Sequence, residues 1–154
     1  MDAAATFLAV RPRSVAETRR RLRHLGYPHA LVDRVVDRLI ELEYLDDEAF
    51  SRAWVESRDR ARPRGENALR RELMLKGVGR EVIDAVLAER AGSAGEPVDA
   101  DGARRLLERR RAALEREPDP RRRRQKAYRL LAANGFDPAT CSEASAAFVN
   151  SPPE

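Results

Sequence analysis

The segment Gly26–Leu42, GYPHALVDRVVDRLIEL, has the clearest helical pattern in this chain. Its apolar residues recur at helical spacing while charged residues fill the positions between them: Leu31, Val32, Val35, Val36, Leu39 and Ile40. Such spacing is typical of an α-helix with a broad apolar stripe and a charged back. The chain on either side shows the same periodicity between glycines and prolines, so we predict an all-α protein.

Three glycines mark an internal repeat. Each of Gly26, Gly77 and Gly135 follows a leucine by four residues and precedes an apolar side chain by one. We expect Gly26 to take the left-handed conformation that ends a helix, and Gly77 and Gly135 to end the helices that precede them. The spacing predicts three tandem three-helix repeats that form an elongated curved array, over residues 1–45, 46–91 and 98–150, with a linker at 92–97 and a tail at 151–154.

Two polar segments are predicted to begin helices. Ser14 and Glu17 have the spacing of a capping box, in which each side chain binds the other residue's amide. The run Asp46-Asp47-Glu48 places acids where free amides and the positive end of a helix dipole favour them. This role explains the run better than a metal site does.

The composition of the 154 residues argues against several classes of protein. Cys141 is the single cysteine, so no intrachain disulfide and no cysteine-based zinc site are expected. No apolar run approaches the roughly 18 residues of a membrane span. The first residues lack the pattern of a secretory signal, which favours a cytoplasmic setting. Without a glycine-rich phosphate loop or a nucleophile motif, we expect no enzyme activity, no metal and no cofactor.

The positive charge is concentrated in one segment. Residues 102–129 carry a net charge of +8, whereas the whole chain carries +4. We predict a long basic helix over 102–116 and another from Pro120. Arginine stays charged and binds phosphate bidentately, so this segment suits a nucleic acid or an acidic partner. A solvated face in an arginine-rich chain is the alternative. The candidate contact residues are Arg104, Arg105, Arg109, Arg110, Arg111, Arg121, Arg122, Arg123, Arg124 and Lys126.

Two weaker basic patches are secondary candidates for the same contact. One lies on the predicted middle helix of the first repeat, and the other surrounds a Pro-Gly loop: Arg19, Arg20 and Arg23, and Arg62, Arg64, Arg70 and Arg71. Ordinary solvent exposure explains either patch about as well. Trp54 is predicted to be a core residue rather than a platform for stacking bases.

The combination of motifs resembles the RecX family, the bacterial regulators of the RecA recombinase. The resemblance covers roughly residues 7–136. It rests on Arg11-Pro12-Arg13-Ser14 with Glu17 and Leu22, on Gly26-Tyr27 with Val35, Leu39, Leu45-Asp46-Asp47 and Phe50, and on Gly65, Glu72-Leu73 and Lys76-Gly77-Val78.

The resemblance implies a non-enzymatic modulator, mainly an inhibitor, of RecA. Such a protein would act as a monomer in DNA repair, homologous recombination and the SOS response. It would bind the filament of RecA on single-stranded DNA in its groove and limit growth, ATP hydrolysis, strand exchange and co-protease activity. A sequence-specific DNA-binding helical regulator is the alternative, although acids on Leu31–Leu42 would then face phosphates.

Overall fold

The computed structural model describes residues 11–92 and 98–151, and within them every regular element is an α-helix. This confirms the all-α prediction. The first ten residues, most of the predicted linker and the end of the predicted tail lie outside the described residues. The helices are α1 (Val15–His24), α2 (His29–Glu41), α3 (Asp47–Ala61), α4 (Glu66–Leu75), α5 (Arg80–Gly92), α6 (Val98–Arg109), α7 (Arg111–Leu114), α8 (Pro120–Ala133) and α9 (Pro138–Asn150).

The same helix-ending turn occurs at all three glycines. Gly26, Gly77 and Gly135 have φ angles of +86°, +78° and +86°, a region that favours glycine. In each turn the amide of the next residue donates to the carbonyl of the leucine four residues before the glycine, as in a Schellman motif. The leucine and the glycine therefore recur because this backbone turn needs them. The predicted left-handed conformation of Gly26 is confirmed, and Gly77 and Gly135 adopt it as well.

The chain divides into two compact units. Unit 1 comprises the described residues up to Trp54 together with Glu72–Val86, and unit 2 comprises Val55–Arg71 and the described residues from Leu87 onward. A core cluster in unit 1 consists of Leu22, Val32, Val36, Leu39 and Leu45. A larger cluster in unit 2 consists of Ala103, Leu107, Leu114, Ala127, Leu131, Phe136, Cys141 and Phe148. No helix in the described ranges is long and apolar enough to cross a bilayer.

Each unit contains a joint in which the start of one helix packs against a glycine turn. In unit 1, the Ser14 hydroxyl donates to the Lys76 carbonyl, and a methyl group on Gly77 would overlap Ala16. In unit 2, the Gly65 amide donates to the Asn134 carbonyl at 3.0 Å. A methyl group on Gly65 would overlap the backbone of Gly135 and the residue after it.

The two joints use equivalent positions of the sequence repeat. Ser14 lies 12 residues before Gly26, and Gly65 lies 12 residues before Gly77. The carbonyls that these residues contact belong to the residues just before Gly77 and Gly135. Small side chains are required at these positions because the backbone of the turn approaches so closely.

The predicted capping box at the start of α1 is confirmed. The Glu17 amide donates to the Ser14 hydroxyl at 3.1 Å, and the Ser14 amide donates to the Glu17 carboxylate at 3.3 Å. Lys76 also donates to Glu17 at 2.8 Å, and its ammonium lies 4.9 Å from the centre of the Trp54 ring. The Trp54 indole, half-buried rather than fully in the core, donates to Glu72 at 2.8 Å.

Glu17→Gln is expected to lower the free energy of unfolding by about 1 kcal/mol at neutral pH. Burial opposes ionisation of Glu17, but Lys76 and the Ser14 amide outweigh it and hold the pKa of Glu17 below its ordinary value. A lowered folded-state pKa adds stability above the unfolded pKa, and this stability is lost as the pH falls through the folded pKa. Urea unfolding should therefore show the deficit of the variant shrinking as the pH falls below about 4.

The control for this prediction is Glu143→Gln, at an exposed carboxylate that has no described partner. We expect this variant to unfold like the wild type at every pH. A deficit of Glu17→Gln that stays constant from neutral to acid pH would contradict the proposed linkage.

Two helix assignments from the sequence are wrong in detail. The predicted helix 102–116 is interrupted at Arg110, whose amide bonds the Leu107 carbonyl three residues back. Without the break, Leu114 would lie two turns beyond Leu107, about 10 Å further along the axis. The break returns Leu114 to the same core cluster. For α3, the sequence pattern predicts a buried side of Phe50, Ala53, Trp54 and Ser57, whereas the structure buries Phe50, Ser51 and Val55.

Candidate nucleic-acid interface

Two of the predicted contact residues bind the end of α3. Arg105 donates to the Asp59 carbonyl at 2.9 Å, and Arg109 donates to the carbonyls of Ala61 and Arg60. The last carbonyls of a helix lack partners within the helix, and a cation there also meets the negative end of the dipole. Both arginines therefore join α6 to α3 within unit 2.

Arg111 is held between two glutamates on its own segment. Its guanidinium donates to Glu108 at 2.6 and 2.8 Å and to Glu115 at 3.1 Å, and it lies 4.7 Å from the centre of the Phe148 ring. The hydrogen bonds that Arg111 donates to Glu108 and Glu115 raise the pKa of Arg111, and the contact with Arg111 lowers the pKa of Glu108. Its charge is therefore compensated within the chain.

Three further cations of the basic segment also have partners nearby. Arg104 donates to Asp101. Arg123 donates to the Glu117 carbonyl at 3.0 Å, and Lys126 donates to the Glu117 carboxylate at 2.7 Å. The bond from Lys126 lowers the pKa of Glu117. Arg123 and Lys126 thereby tie α8 to the turn that precedes it.

The remaining predicted arginines lie at the surface with few contacts. Arg110, Arg121 and Arg124 are exposed, and none has an ionic or hydrogen-bonding partner for its side chain in the described ranges. Arg122 approaches Asp119 at 3.7 Å, with 74% of its side chain exposed. These four side chains are the ones available to an external anion, and three of them lie in the first two turns of α8.

The secondary patches divide in the same way. Arg19 and Arg23 approach Asp33 of α2 at 3.2 and 3.7 Å. In the other patch, Arg64 donates to the Asn134 side chain at 2.6 Å, and Arg70 donates to a glutamate of its own helix at 3.1 Å. The exposed members whose side chains show no partner within residues 11–92 and 98–151 are Arg20, Arg62 and Arg71.

The acidic run before α3 has structural roles. The Asp46 carboxylate accepts from the amides of Glu48 and Ala49 at 2.8 and 3.0 Å, and the Asp47 carboxylate accepts from the Val15 amide at 2.9 Å. Burial raises the pKa of Asp47. In the part of the chain that the structure describes, no group of three or more histidine, cysteine, aspartate or glutamate side chains could hold a metal ion.

Sequence reasoning missed an apolar surface on unit 1. Leu31 and Ile40, both in the apolar stripe predicted for α2, are 42% and 43% exposed. Six other large apolar side chains in the same unit are exposed as well: Leu25, Tyr27, Leu42, Tyr44, Met74 and Leu75. The width of the α2 stripe was the available signal, because one neighbouring surface covers only part of so broad a face.

Comparison with known proteins identifies the family. A family model described as the first three-helix domain of RecX matches residues 1–39, and one described as the second three-helix domain matches residues 46–87. The regulatory protein RecX of Prosthecochloris aestuarii is 33% identical over 144 residues, which cover 91% of this chain and 87% of that protein. The chain belongs to the RecX family. The resemblance in the sequence motifs is thus confirmed.

Other RecX proteins differ in length and share the fold. The regulatory protein RecX of Mycobacterium sp. (strain JLS) is 41% identical over 113 residues, and the match spans 60% of that protein's length. The crystal structure of RecX from Lactobacillus salivarius superimposes with a TM-score of 0.81 at 17% identity, covering 96% of this chain and 92% of that one. A second crystal structure of regulatory protein RecX gives a TM-score of 0.80 at 22% identity. The helices described above therefore form the RecX fold.

Proposed function

We propose that this chain modulates the RecA recombinase, mainly as an inhibitor, by binding the filament that RecA forms on single-stranded DNA. Lodged in the filament's groove, it limits filament growth, ATP hydrolysis, strand exchange and co-protease activity. The observation that carries this proposal is membership of the RecX family across two three-helix domains. In this proposal the protein is a cytoplasmic monomer that acts by binding and not by catalysis.

The apolar surface of unit 1 supports contact with a protein. All eight large apolar side chains that are exposed in the described residues belong to unit 1, and none belongs to unit 2. Aromatic residues and methionine are enriched at protein interfaces, and Tyr44 and Met74 are 69% and 62% exposed. We therefore assign the contact with RecA to unit 1.

The exposed arginines of unit 2 support contact with the DNA inside the filament. Arg110, Arg121 and Arg124 have no described partner that would compete with a phosphate. The cations that brace the fold, such as Arg105 and Arg109, would have to break internal hydrogen bonds before they could bind DNA. We therefore restrict the DNA contact to Arg110 and the arginines of α8 that remain exposed.

The proposal predicts that the protein slows ATP hydrolysis by RecA. Purified protein would be added to RecA, single-stranded DNA and ATP, and phosphate release would be followed over time. We expect progressive inhibition as the protein approaches RecA in concentration. Unchanged hydrolysis at equimolar or higher protein would refute the proposed function.

Variants of the apolar surface test the assignment to unit 1. In Tyr44→Ser with Leu75→Ser, both side chains are mostly exposed, so the fold should survive. If both are interface hot spots, each costs more than about 1 kcal/mol of binding, and the pair should raise the half-inhibitory concentration more than about tenfold. The control, His24→Ala with His29→Ala, changes exposed polar residues of the same unit. Equal inhibition by the two double variants would contradict the assignment.

Sequence-specific DNA binding would give a different result. The helix expected to enter the major groove, α2, carries Asp33, which the arginines of α1 already engage. Such a regulator would protect a short defined duplex from cleavage without RecA. A RecA modulator should show no preferred duplex sequence.

A further inference from the structure

The start of α8 has arginines at the position where the other two repeats have a small residue. Ser14 and Gly65 each lie 12 residues before a glycine turn and make the joints described above, and Arg123 is the equivalent residue before Gly135. Its neighbours Arg121, Arg122 and Arg124 are exposed. The start of α8 carries arginines where the two joints have small side chains. A glycine turn therefore cannot pack against it as closely as in those joints. An anion is the better-matched occupant.

A cavity of about 430 Å³ lies at this position between α8 and α9. The cavity is shallow and open to solvent, unlike the enclosed pockets that bury most of a small ligand. Positions 121, 124, 125 and 128 follow helical spacing and share one face of α8, whereas Ser145 belongs to α9. The lining residues are Arg121, Arg122, Arg124, Gln125, Tyr128 and Ser145.

The cavity combines unpaired positive charge with an anchored aromatic ring. Arg121 and Arg124 have no ionic partner in the described part of the chain, so their guanidinium groups can bind phosphate oxygens bidentately. Tyr128 is half-buried, packs against the core cluster of unit 2 and also lines the cavity. A ring held in this way can stack on a base with little loss of side-chain freedom.

These two features together select single-stranded nucleic acid. Phosphate binding alone does not distinguish a single strand from a duplex. Stacking on a side chain requires a base that is free of its neighbours, and the bases of a duplex are already stacked. The combination of a cationic groove and an aromatic side chain is the usual basis of single-strand binding.

We propose that the cavity between α8 and α9 binds one nucleotide of single-stranded DNA, with the base stacked on Tyr128 and the adjacent phosphates bound by Arg121 and Arg124. This assignment rests on the proposed function and adds a specific subsite to it. In this proposal Tyr128, which lies in the third predicted repeat, stacks on the base, and Trp54 does not.

The subsite can be tested without RecA. A fluorescent oligothymidylate, an abasic oligomer of equal length and a duplex would be titrated with the wild type, Tyr128→Leu and Tyr128→Phe. We expect Tyr128→Leu to bind the oligothymidylate about fivefold to 150-fold more weakly than the wild type, and Tyr128→Phe to bind like the wild type. The abasic oligomer should bind the wild type and Tyr128→Leu equally.

The arginines are tested by the salt dependence of the same binding. Arg121→Gln with Arg124→Gln should reduce the slope of log affinity against log salt by about 0.7 for each lost contact. Arg129→Gln is the matched control, because Arg129 is exposed on α8 but does not line the cavity. Its slope should equal that of the wild type.

Two results would overturn the subsite. One is equal binding of the oligothymidylate and the abasic oligomer by the wild type, a measurement that needs no variant to fold. The other is equal oligothymidylate binding by Tyr128→Leu and the wild type. Either result would leave the proposed function standing if the wild type still inhibits RecA, so the two failures are distinguishable.

Discussion

Arg90→Ala is expected to lower the free energy of unfolding by about 3 kcal/mol, a large loss for a single polar side chain. The Arg90 side chain is only 10% exposed and binds Asp59 bidentately at 2.8 and 2.9 Å. Its third nitrogen donates to Asp99 at 2.7 Å. Burial disfavours the charge on Arg90, but Asp59 and Asp99 outweigh it and raise the pKa of Arg90.

The loss is large because two carboxylates would keep their positions without a cation. The Asp59 and Asp99 side chains are 24% and 17% exposed, so water would solvate them only in part. Asp99 also accepts from the Glu66 amide at 3.0 Å at the start of α4 and cannot move away without giving up that bond. Breaking a fully buried pair costs about 3–5 kcal/mol, and partial exposure places this case at the lower end.

Denaturant unfolding of the variant and of Arg80→Ala measures this cost. Arg80 begins the same helix, α5, but its side chain is 91% exposed and lies 3.7 Å from Asp84. We expect Arg80→Ala to change the free energy of unfolding by less than about 0.5 kcal/mol. Arg90→Lys should fall between the two, because an ammonium cannot reproduce the bidentate contact. Equal stability of the two alanine variants would show that the cluster contributes little.

Gly65→Ala is expected to destabilise the protein by about 1–3 kcal/mol through one added methyl group. That methyl would overlap the carbonyl of Gly135 and the amide of Phe136. The contact atoms belong to the backbone, which cannot rotate aside as a flexible side chain could. The Gly65 amide also donates to the Asn134 carbonyl, so any shift of α4 would stretch this bond.

Gly79→Ala is the matched control for this joint. A methyl group on Gly79 would meet no atom within 4 Å. Thermal unfolding should show Gly65→Ala melting about 2–4 °C lower for each kcal/mol lost. Gly79→Ala replaces only the N-cap glycine of α5, so it should melt between Gly65→Ala and the wild type. A Gly65→Ala protein as stable as Gly79→Ala would mean that the joint relaxes without cost.

Local features of the chain were predictable because their causes lie within a few residues. The capping box of Ser14 and Glu17 forms within one helical turn, and the glycine turns need only a leucine, a glycine and an apolar residue at set spacing. The combined motifs were also specific enough to indicate the RecX family, which the comparison with known proteins confirms.

The role of each arginine was not predictable from the sequence. Arg105 and Arg109 reach the end of α3 across 46 and 48 residues of chain, and Arg64 reaches Asn134 across 70. A count of charges between residues 102 and 129 treats Arg105, Arg109 and the exposed Arg121 alike. Only their partners separate the arginines that brace the fold from those that can meet a phosphate.

Most of the helices, the capping box, the repeated turns and the family could be predicted from the sequence alone. These depend on side-chain periodicity and on hydrogen bonds between residues close in the chain. Which of the apolar and basic residues remain at the surface depends on the tertiary packing. Arg90 is buried because residues from distant parts of the chain pack against it, whereas Tyr44 and Leu75 are left mostly uncovered. The spacing of residues along the chain does not show which distant segments will become neighbours.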